Sequence, residues 1–173
     1  MCVSNQRTVF IYNVFLFLLW NTNSFSQSAT IVLKGDDFKQ ERTLSLRCEK
    51  DKGCITYRDT AGKHVMQMEL KGSFEDRAVT FNLMVVPTPG KHKIRLDKDA
   101  DQKTGEYFGL EIAGPNAPVD IVVYTVENPA DEAIIEIQKS NEKMGQFEAS
   151  FTAKIIDPQT GNKKATMTGK IGK

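Results

Sequence analysis

The sequence predicts an all-β domain, most simply an antiparallel β-sandwich of about ten strands, with a closed, calycin-like β-barrel as the alternative. Three observations favour this fold class. Apolar and polar residues alternate with a period of two along most of the chain after residue 27, turn-forming residues separate these segments, and no segment carries a convincing helical stripe. Such alternation is typical of antiparallel sheet with one face toward a core. It does not separate a sandwich from a barrel, since both need one inward face per strand.

The first 26 residues have the composition of an export signal. Arg7 supplies a positive charge, Val9–Trp20 is an almost unbroken apolar run, and Ser24 and Ser26 are small residues at positions −3 and −1 of a cut after residue 26. The apolar run is only about a dozen residues long, whereas a membrane-spanning helix needs roughly 20. The sequence therefore predicts a cleaved signal peptide and no membrane span in the mature chain.

Residues 27–173 are predicted to form a single all-β domain in the periplasm or outside the cell. This length is ordinary for one domain and is sufficient for a sizeable core. The chain has 23 basic and 22 acidic residues, and loss of the one arginine in the signal leaves the mature chain formally neutral. A neutral chain has no whole-molecule electrostatic reason to bind nucleic acid, so we expect no such partner.

Strand assignments follow from the alternation, taken in chain order. The segment Glu127–Asn141 is the nearest to a helix, but its isoleucines are β-branched and fit a strand better. In each strand one set of alternate residues is expected to face the core. These sets are Leu44 and Leu46; His64, Met66, Met68 and Leu70; Val79, Phe81, Leu83 and Val85; Phe108, Leu110 and Ile112; Ala133, Ile135 and Ile137; Phe147, Ala149, Phe151, Ala153 and Ile155; and Ala165, Met167 and Ile171.

Turn-forming residues are predicted to separate the strands. Each of these segments supplies a glycine, a proline with fixed φ, or a side chain that caps its own turn. The segments are Lys34–Asp37, Asp51–Gly53, Ala61–Gly62, Lys71–Ser73, Pro87–Gly90, Gly114–Asn116, Asn128–Pro129 and Asp157–Asn162.

Cys48 and Cys54 are the two cysteines that remain after signal cleavage, and they bracket what looks like a hairpin tip. Two cysteines this close usually form a disulfide in an oxidising compartment. The alternation of inward and outward residues argues against this disulfide, because Cys48 shares a strand face with apolar residues and Cys54 shares one with polar residues. A bulge near Gly53 would correct the register, so we predict the Cys48–Cys54 disulfide.

An acidic loop is the candidate metal site. Asp97, Asp99 and Asp101 alternate between two predicted strands, and alternating aspartates can direct several oxygens at one Ca²⁺. The loop begins like an EF-hand, but Gln102 occupies the glycine position and Phe108 the position of the bidentate glutamate. A solvated connection rich in aspartate and lysine is the competing interpretation. We therefore treat a calcium-dependent binding module as an alternative hypothesis.

Catalytic chemistry finds little support in the residue pattern. His64, Met66 and Met68 share a strand face that could hold Cu(I), but methionines on one face are more often core residues. The only other histidine, His92, lies between two lysines. Neither a Gly-x-Ser-x-Gly nor a His-Glu-x-x-His motif is present. We therefore assign no catalytic and no cofactor-binding residue, and we keep a hydrolase as the weakest alternative.

The C-terminal half carries an ordered set of features. A Pro-Gly turn at Pro89-Gly90 precedes a strand, and the segment Gly145–Phe151, of the form Gly-x-Phe-x-x-x-Phe, precedes a final strand that contains Thr-Met-Thr-Gly at Thr166–Gly169. This order resembles a loose, largely uncharacterised group of small exported β-rich proteins of Gram-negative envelopes. The resemblance implies an exported all-β domain and no particular reaction.

The sequence thus favours a non-enzymatic exported domain that binds an envelope protein, a glycan or a small apolar ligand. The interior distinguishes these ligand classes. An enclosed cavity of several hundred Å³ would favour carriage of a small molecule, whereas a filled core would favour recognition at the surface.

Overall fold

Within the residues that it describes, the computed structural model contains eleven antiparallel strands and one short 3₁₀ helix. It describes residues 27–35, 38–49, 53–60, 62–94, 106–113, 121–125, 132–156 and 164–172. The strands are β1 (Ser28–Gly35), β2 (Phe38–Arg47), β3 (Ile55–Thr60), β4 (Lys63–Phe74), β5 (Arg77–Val85), β6 (Gly90–Ile94), β7 (Tyr107–Ala113), β8 (Ile121–Thr125), β9 (Ala133–Asn141), β10 (Gln146–Ile156) and β11 (Lys164–Gly172); the 3₁₀ helix is Glu142–Met144.

The described strands form one hydrogen-bonded sheet of eleven, which narrows to a single described residue pair at each of two corners. We call the parts on either side of these corners the five-stranded sheet, in the order β3-β4-β5-β7-β8, and the six-stranded sheet, in the order β2-β1-β11-β10-β9-β6. A single residue pair makes each corner: Arg47 pairs with Lys71 between β2 and β4, and Thr125 pairs with Ile156 between β8 and β10. The all-β antiparallel prediction is confirmed. Because β10 also pairs with β11, strand pairing continues around both corners through a ring of eight strands, so the fold combines features of the predicted sandwich and of the alternative barrel.

Aromatic rings fill the space between the two sheets. The ring of Phe151 on β10 stacks on that of Phe81 on β5, with centroids 5.3 Å apart. Phe108 on β7 packs edge-on against both rings, also at 5.3 Å. These contacts join opposite sheets through one continuous core, to which both contribute alternate residues as predicted. The prediction is wrong at the start of β4, where His64 is exposed and Val65 is buried instead. The fully buried members with the largest side chains include Ile31, Leu33, Leu44, Leu46, Met66, Met68, Leu70, Phe81, Leu83, Ile94, Phe108 and Phe147.

The turn predicted at Lys71–Ser73 is wrong, because β4 runs unbroken through these residues to Phe74. Gly72 lies instead where β2 crosses onto β4. A Cβ atom at Gly72 would lie 2.7 Å from the carbonyl oxygen of Ser45 and 2.6 Å from the Leu46 side chain. The glycine therefore permits close approach of two strands at the corner, which is a second common role of glycine within a strand.

The reversal between β4 and β5 occurs at Glu75 and Asp76. Phe74 pairs with Arg77, so the loop has two residues, and both have positive φ, 48° at Glu75 and 63° at Asp76. Two-residue hairpins of this kind usually contain Asn-Gly or Asp-Gly, since L side chains are strained at positive φ. The sequence pattern therefore gives no sign of this turn.

Candidate functional site

The disulfide predicted between Cys48 and Cys54 is confirmed, with Cα atoms 5.3 Å apart. The disulfide does not close the tip of a hairpin between β2 and β3, as the sequence predicted. β3 pairs with β4 from Ile55 to Thr60, and β2 meets β4 only at Lys71, so β2 and β3 follow one another along the same side of β4. The parity objection fails because it assumed that the two strands pair directly. A disulfide-bonded pair fits an oxidising environment outside the cytoplasm.

The backbone around the disulfide is pinned at two points. The amide of Cys48 donates to the carbonyl of Gln27, and the amide of Glu69 donates to the carbonyl of Cys54, both at 2.9 Å. Gln27 is itself buried, and its side-chain amide donates to the carbonyl of Gly145 at 3.3 Å. The disulfide therefore holds the transfer from β2 to β3 at the end of the sandwich where the β9–β10 connection lies.

The candidate metal ligands predicted from the sequence do not come together as a metal site in the part of the chain that the structure describes. Asp97, Asp99 and Asp101 lie outside the described residues, so the calcium hypothesis stays a prediction. Met66 and Met68 are fully buried in the core, and His64 directs its ring nitrogens elsewhere. Among described residues, no three His, Cys, Asp or Glu side chains converge as metal ligands.

His64 links two hairpins at one end of the sandwich. Its Nδ1 lies 2.9 Å from a carboxylate oxygen of Asp59 on β3, and its Nε2 lies 3.1 Å from a carboxylate oxygen of Glu142 in the 3₁₀ helix. The Tyr57 ring stacks on the imidazole with centroids 5.8 Å apart. We call these four residues the histidine clamp. Since both ring nitrogens face carboxylates, the clamp is suited to hold a charged imidazolium between the two hairpins.

The two carboxylates of the clamp set the charge of His64. The hydrogen bond with Asp59, followed by that with Glu142, raises the pKa of His64 above its ordinary value of 6.5. Burial raises the pKa of the Tyr57 hydroxyl above 10.0, with a partly opposing effect of nearby Ser140 and a smaller contribution from Glu142. The Tyr57 hydroxyl is enclosed near Ser140 but lies outside hydrogen-bonding geometry. The hydrolase hypothesis stays a prediction.

A depression of about 280 Å³ lies on the outer face of the five-stranded sheet, away from the core. Three of its lining residues form a cross-strand row: Gln67 on β4 pairs with Met84 on β5, which pairs with Tyr107 on β7. The outer depression, as we call it, is lined by Arg58, Gln67, Asn82, Leu83, Met84 and Tyr107.

The Tyr107 ring lies along its own strand over Gly109. A Cβ atom at Gly109 would lie 2.7 Å from Cζ of Tyr107 and would also overlap the hydroxyl oxygen. Gly109 belongs to the outward-facing residues of β7, yet it is buried. The Tyr107 ring therefore covers it. A glycine at this position thus provides the space in which an aromatic ring lies against the sheet.

Polar side chains with fixed partners surround this ring. Arg58 donates through Nη2 to the sulfur of Met84 at 3.0 Å. The amide of Asn82 donates to a carboxylate oxygen of Glu111 at 3.1 Å. The first contact reaches from β3 to β5, and the second joins the neighbouring strands β5 and β7. These contacts orient planar polar groups at the edge of the outer depression. The site therefore combines an aromatic surface with a guanidinium and two amide groups, counting Gln67.

Two further concave regions lie on the outer faces. A depression of about 210 Å³ shares Gln67 with the outer depression and continues it toward Glu69, Lys71 and the disulfide. Glu69 hydrogen-bonds Lys71 and raises the pKa of its ammonium, with Glu49 contributing. A broader concavity of about 690 Å³ lies on the six-stranded sheet, where hydroxyl, amide and charged side chains predominate. Its lining includes Ser28, Thr30, Gln138, Glu148, Ser150 and Lys170.

Sequence reasoning missed the outer depression. The alternation identifies Gln67 as outward-facing, but the register that places it beside Met84 and Tyr107 depends on long-range strand pairing. One signal was available: Tyr107-Phe108-Gly109 places a glycine two residues after an outward aromatic residue. Glycine inside a strand often marks close approach of another group.

No family model, curated protein or solved structure matches this chain. The assignment to exported Gram-negative envelope proteins therefore stays a prediction. Within the described ranges, none of the helical structure is long and apolar enough to span a bilayer.

Proposed function

We propose that this chain acts outside the cytoplasm as a non-enzymatic recognition module that binds a component of the cell envelope on the outer face of its five-stranded sheet. The filled space between the sheets carries this proposal. Phe81, Phe108 and Phe151 contact one another across that space. A small apolar ligand bound there would have to separate these rings, and each aromatic pair contributes about 0.5–1.5 kcal/mol beyond the area it buries.

The outer face of the five-stranded sheet has the composition of a binding site, whereas the interior is filled by aromatic rings. Binding sites typically combine apolar or aromatic surface with a few polar groups that fix orientation. The outer depression has this composition, since Met84 and Tyr107 lie beside Arg58, Gln67 and Asn82. Its lining residues come from four adjacent strands of one sheet, which supports a preformed site with little ordering cost on binding.

The disulfide supports the extracytoplasmic part of the proposal. Cys48 and Cys54 are bonded, and such bonds persist in oxidising compartments such as the periplasm and the cell exterior. Export through the predicted signal over residues 1–26 would deliver the chain to that environment. Mass spectrometry of the protein from its native source tests this step: cleavage is expected after Ser26, and an intact leader on a cytosolic protein would contradict it.

The methionines provide inward and outward reporters for the binding mode in one sample. Met66, Met68 and Met167 are fully buried in the core, and Met84 lines the outer depression. Met144, which is 46% exposed, lies at the β9–β10 connection and serves as a control for non-specific effects. NMR spectra of ¹³C-methyl-methionine protein would be recorded during separate titrations with decanoic acid and with a hydrolysate of bacterial envelope polysaccharide.

We expect decanoic acid to leave the three core methyl signals in place and the hydrolysate to shift Met84 saturably without moving Met144. Saturable shifts of the core methyl signals with decanoic acid would show carriage of an apolar ligand and would overturn the proposal. A Met84 signal that stays fixed at all hydrolysate concentrations would equally count against it.

A further inference from the structure

We infer that the outer depression is a subsite for a neutral oligosaccharide, with the Tyr107 ring as the surface on which one pyranose ring stacks. This inference rests on the proposed function and names the ligand class of the same site. Its starting point is the pair formed by Tyr107 and Gly109. Because Gly109 has no side chain, the tyrosine ring lies against the sheet, where Tyr107 is half-buried and lines the outer depression.

A sugar ring has two kinds of surface, and the outer depression matches both. The axial C–H groups of a pyranose form an apolar patch that packs on the face of an aromatic ring, and aromatic rings with a polar tip suit such mixed ligands. The sugar hydroxyls each donate and accept hydrogen bonds. The side-chain amides of Gln67 and Asn82 do the same, and Arg58 adds donors in a fixed plane.

The charges near the depression favour a neutral ligand. Arg58 is cationic, but Glu69 pairs in register with Asn82, and the Asn82 amide itself holds Glu111. An acidic sugar would meet these two carboxylates, and a cationic ligand would meet the guanidinium. A neutral polyhydroxylated ligand encounters neither repulsion, while charged groups still make strong hydrogen bonds with its hydroxyls.

The size of the site favours an oligosaccharide over a single sugar. The outer depression measures about 280 Å³, and the neighbouring depression of about 210 Å³ continues it past the shared residue Gln67. The first of these alone lies just below the volumes that hold small ligands, which are roughly 300–1,000 Å³. Two depressions that share Gln67 in their linings therefore suit consecutive sugar units along β4.

The test uses the full mature chain and a panel of immobilised neutral hexose oligosaccharides, with uronate-containing oligosaccharides alongside. The affinity of the best neutral oligosaccharide would then be measured by calorimetry for four variants. Tyr107→Ala removes the stacking surface, Tyr107→Phe keeps the ring, and Gly109→Ala displaces the ring without touching the ligand. Thr80→Ala, on the same outer face but outside the outer depression, is the control.

We expect Tyr107→Ala and Gly109→Ala to weaken binding by about tenfold or more. Tyr107→Phe and Thr80→Ala should stay within about threefold of the original affinity, which corresponds to less than one hydrogen bond to a charged group. Circular dichroism and thermal melting establish that each variant is folded. If Gly109→Ala does not fold, the contrast between Tyr107→Ala and Tyr107→Phe decides the question.

Three results would overturn the inference. Binding of the neutral oligosaccharide with equal affinity by Tyr107→Ala would remove the stacking role. Preference of the panel for uronate-containing oligosaccharides would overturn the neutral class. Absence of binding to every oligosaccharide of the panel, while envelope hydrolysate still shifts the Met84 methyl signal, would overturn the neutral hexose class and leave the proposed surface recognition intact.

Discussion

Removal of the Phe151 ring should destabilise the sandwich more than any outer-face substitution. Phe151 is 4% exposed, and its centroid lies 5.3 Å from those of Phe81 and Phe108. Truncation of a buried phenylalanine to alanine typically costs about 3–5 kcal/mol. Two aromatic partners, each adding about 0.5–1.5 kcal/mol, keep Phe151→Ala above the lower end of that range, at about 4 kcal/mol. Domains of this size have a free energy of unfolding of about 5–15 kcal/mol, so the variant should fold but be strongly weakened.

Equilibrium unfolding in urea measures this loss. With an m-value of about 2 kcal/mol/M, a loss of 4 kcal/mol lowers the unfolding midpoint by about 2 M. Thr152→Ala is the matched control, because Thr152 is the next residue on β10 and is exposed on the outer face. Its effect should stay within about 1 kcal/mol. A loss below about 1 kcal/mol for Phe151→Ala, at unchanged m-value, would refute the packing of rings between the sheets.

Three further predictions concern the disulfide, the histidine clamp and the strained hairpin. Replacing Cys48 and Cys54 together by serine should cost about 2 kcal/mol in urea unfolding, since the bond closes a short loop; no change would argue against the bond in solution. Because the pKa of His64 is raised in the folded state, the contribution of the histidine clamp to stability is fully present below pH 6.5. This contribution is lost as the pH rises through the folded-state pKa. NMR titration should place that pKa above 6.5 and show it fall in Asp59→Asn; an unchanged value there would be inconsistent with the clamp. The double change Glu75→Asn with Asp76→Gly should raise the free energy of unfolding by about 1–2 kcal/mol, because Asn-Gly adopts two positive φ angles with less strain. The ion pairs that Glu75 makes with Arg42 and Arg77 are exposed, so their loss should cost little. A lower free energy of unfolding in this variant would contradict the strain.

Much of the fold follows from local pattern. Along β10, for example, alternate residues from Phe147 to Ile155 are buried as the period-two alternation predicts. This works because a strand's inward face depends only on residue parity once a core exists. The disulfide could also be predicted, since proximity in sequence and compartment were sufficient.

Features that depend on long-range contacts could not be predicted from the pattern. Gly72 looks like a turn glycine in the sequence, yet its role is set by Ser45 and Leu46 on another strand. The turn at Glu75 and Asp76 lacks the glycine that usually occupies a position of positive φ, and the pairing of the long strands β4 and β5 places it there.

The candidate site was less predictable than the fold for the same reason. His64 could be recognised as a titratable residue on a strand, but its partner Glu142 is 78 positions away. Likewise, the row that joins Gln67, Met84 and Tyr107 exists only after three strands pair in register. Sequence periodicity gives the face of each residue, whereas a site also requires the order of strands in the sheet.

The claim that recognition occurs outside a filled interior is tested most directly by nuclear Overhauser effects between the rings of Phe81 and Phe151, which belong to opposite sheets. Spectra would be recorded for the free protein and with an excess of decanoic acid. The stacked rings, 5.3 Å apart, predict strong cross-sheet effects that remain unchanged when decanoic acid is added. Absence of these effects in the free protein, or their loss on addition of decanoic acid, would contradict a filled interior and indicate an internal ligand site.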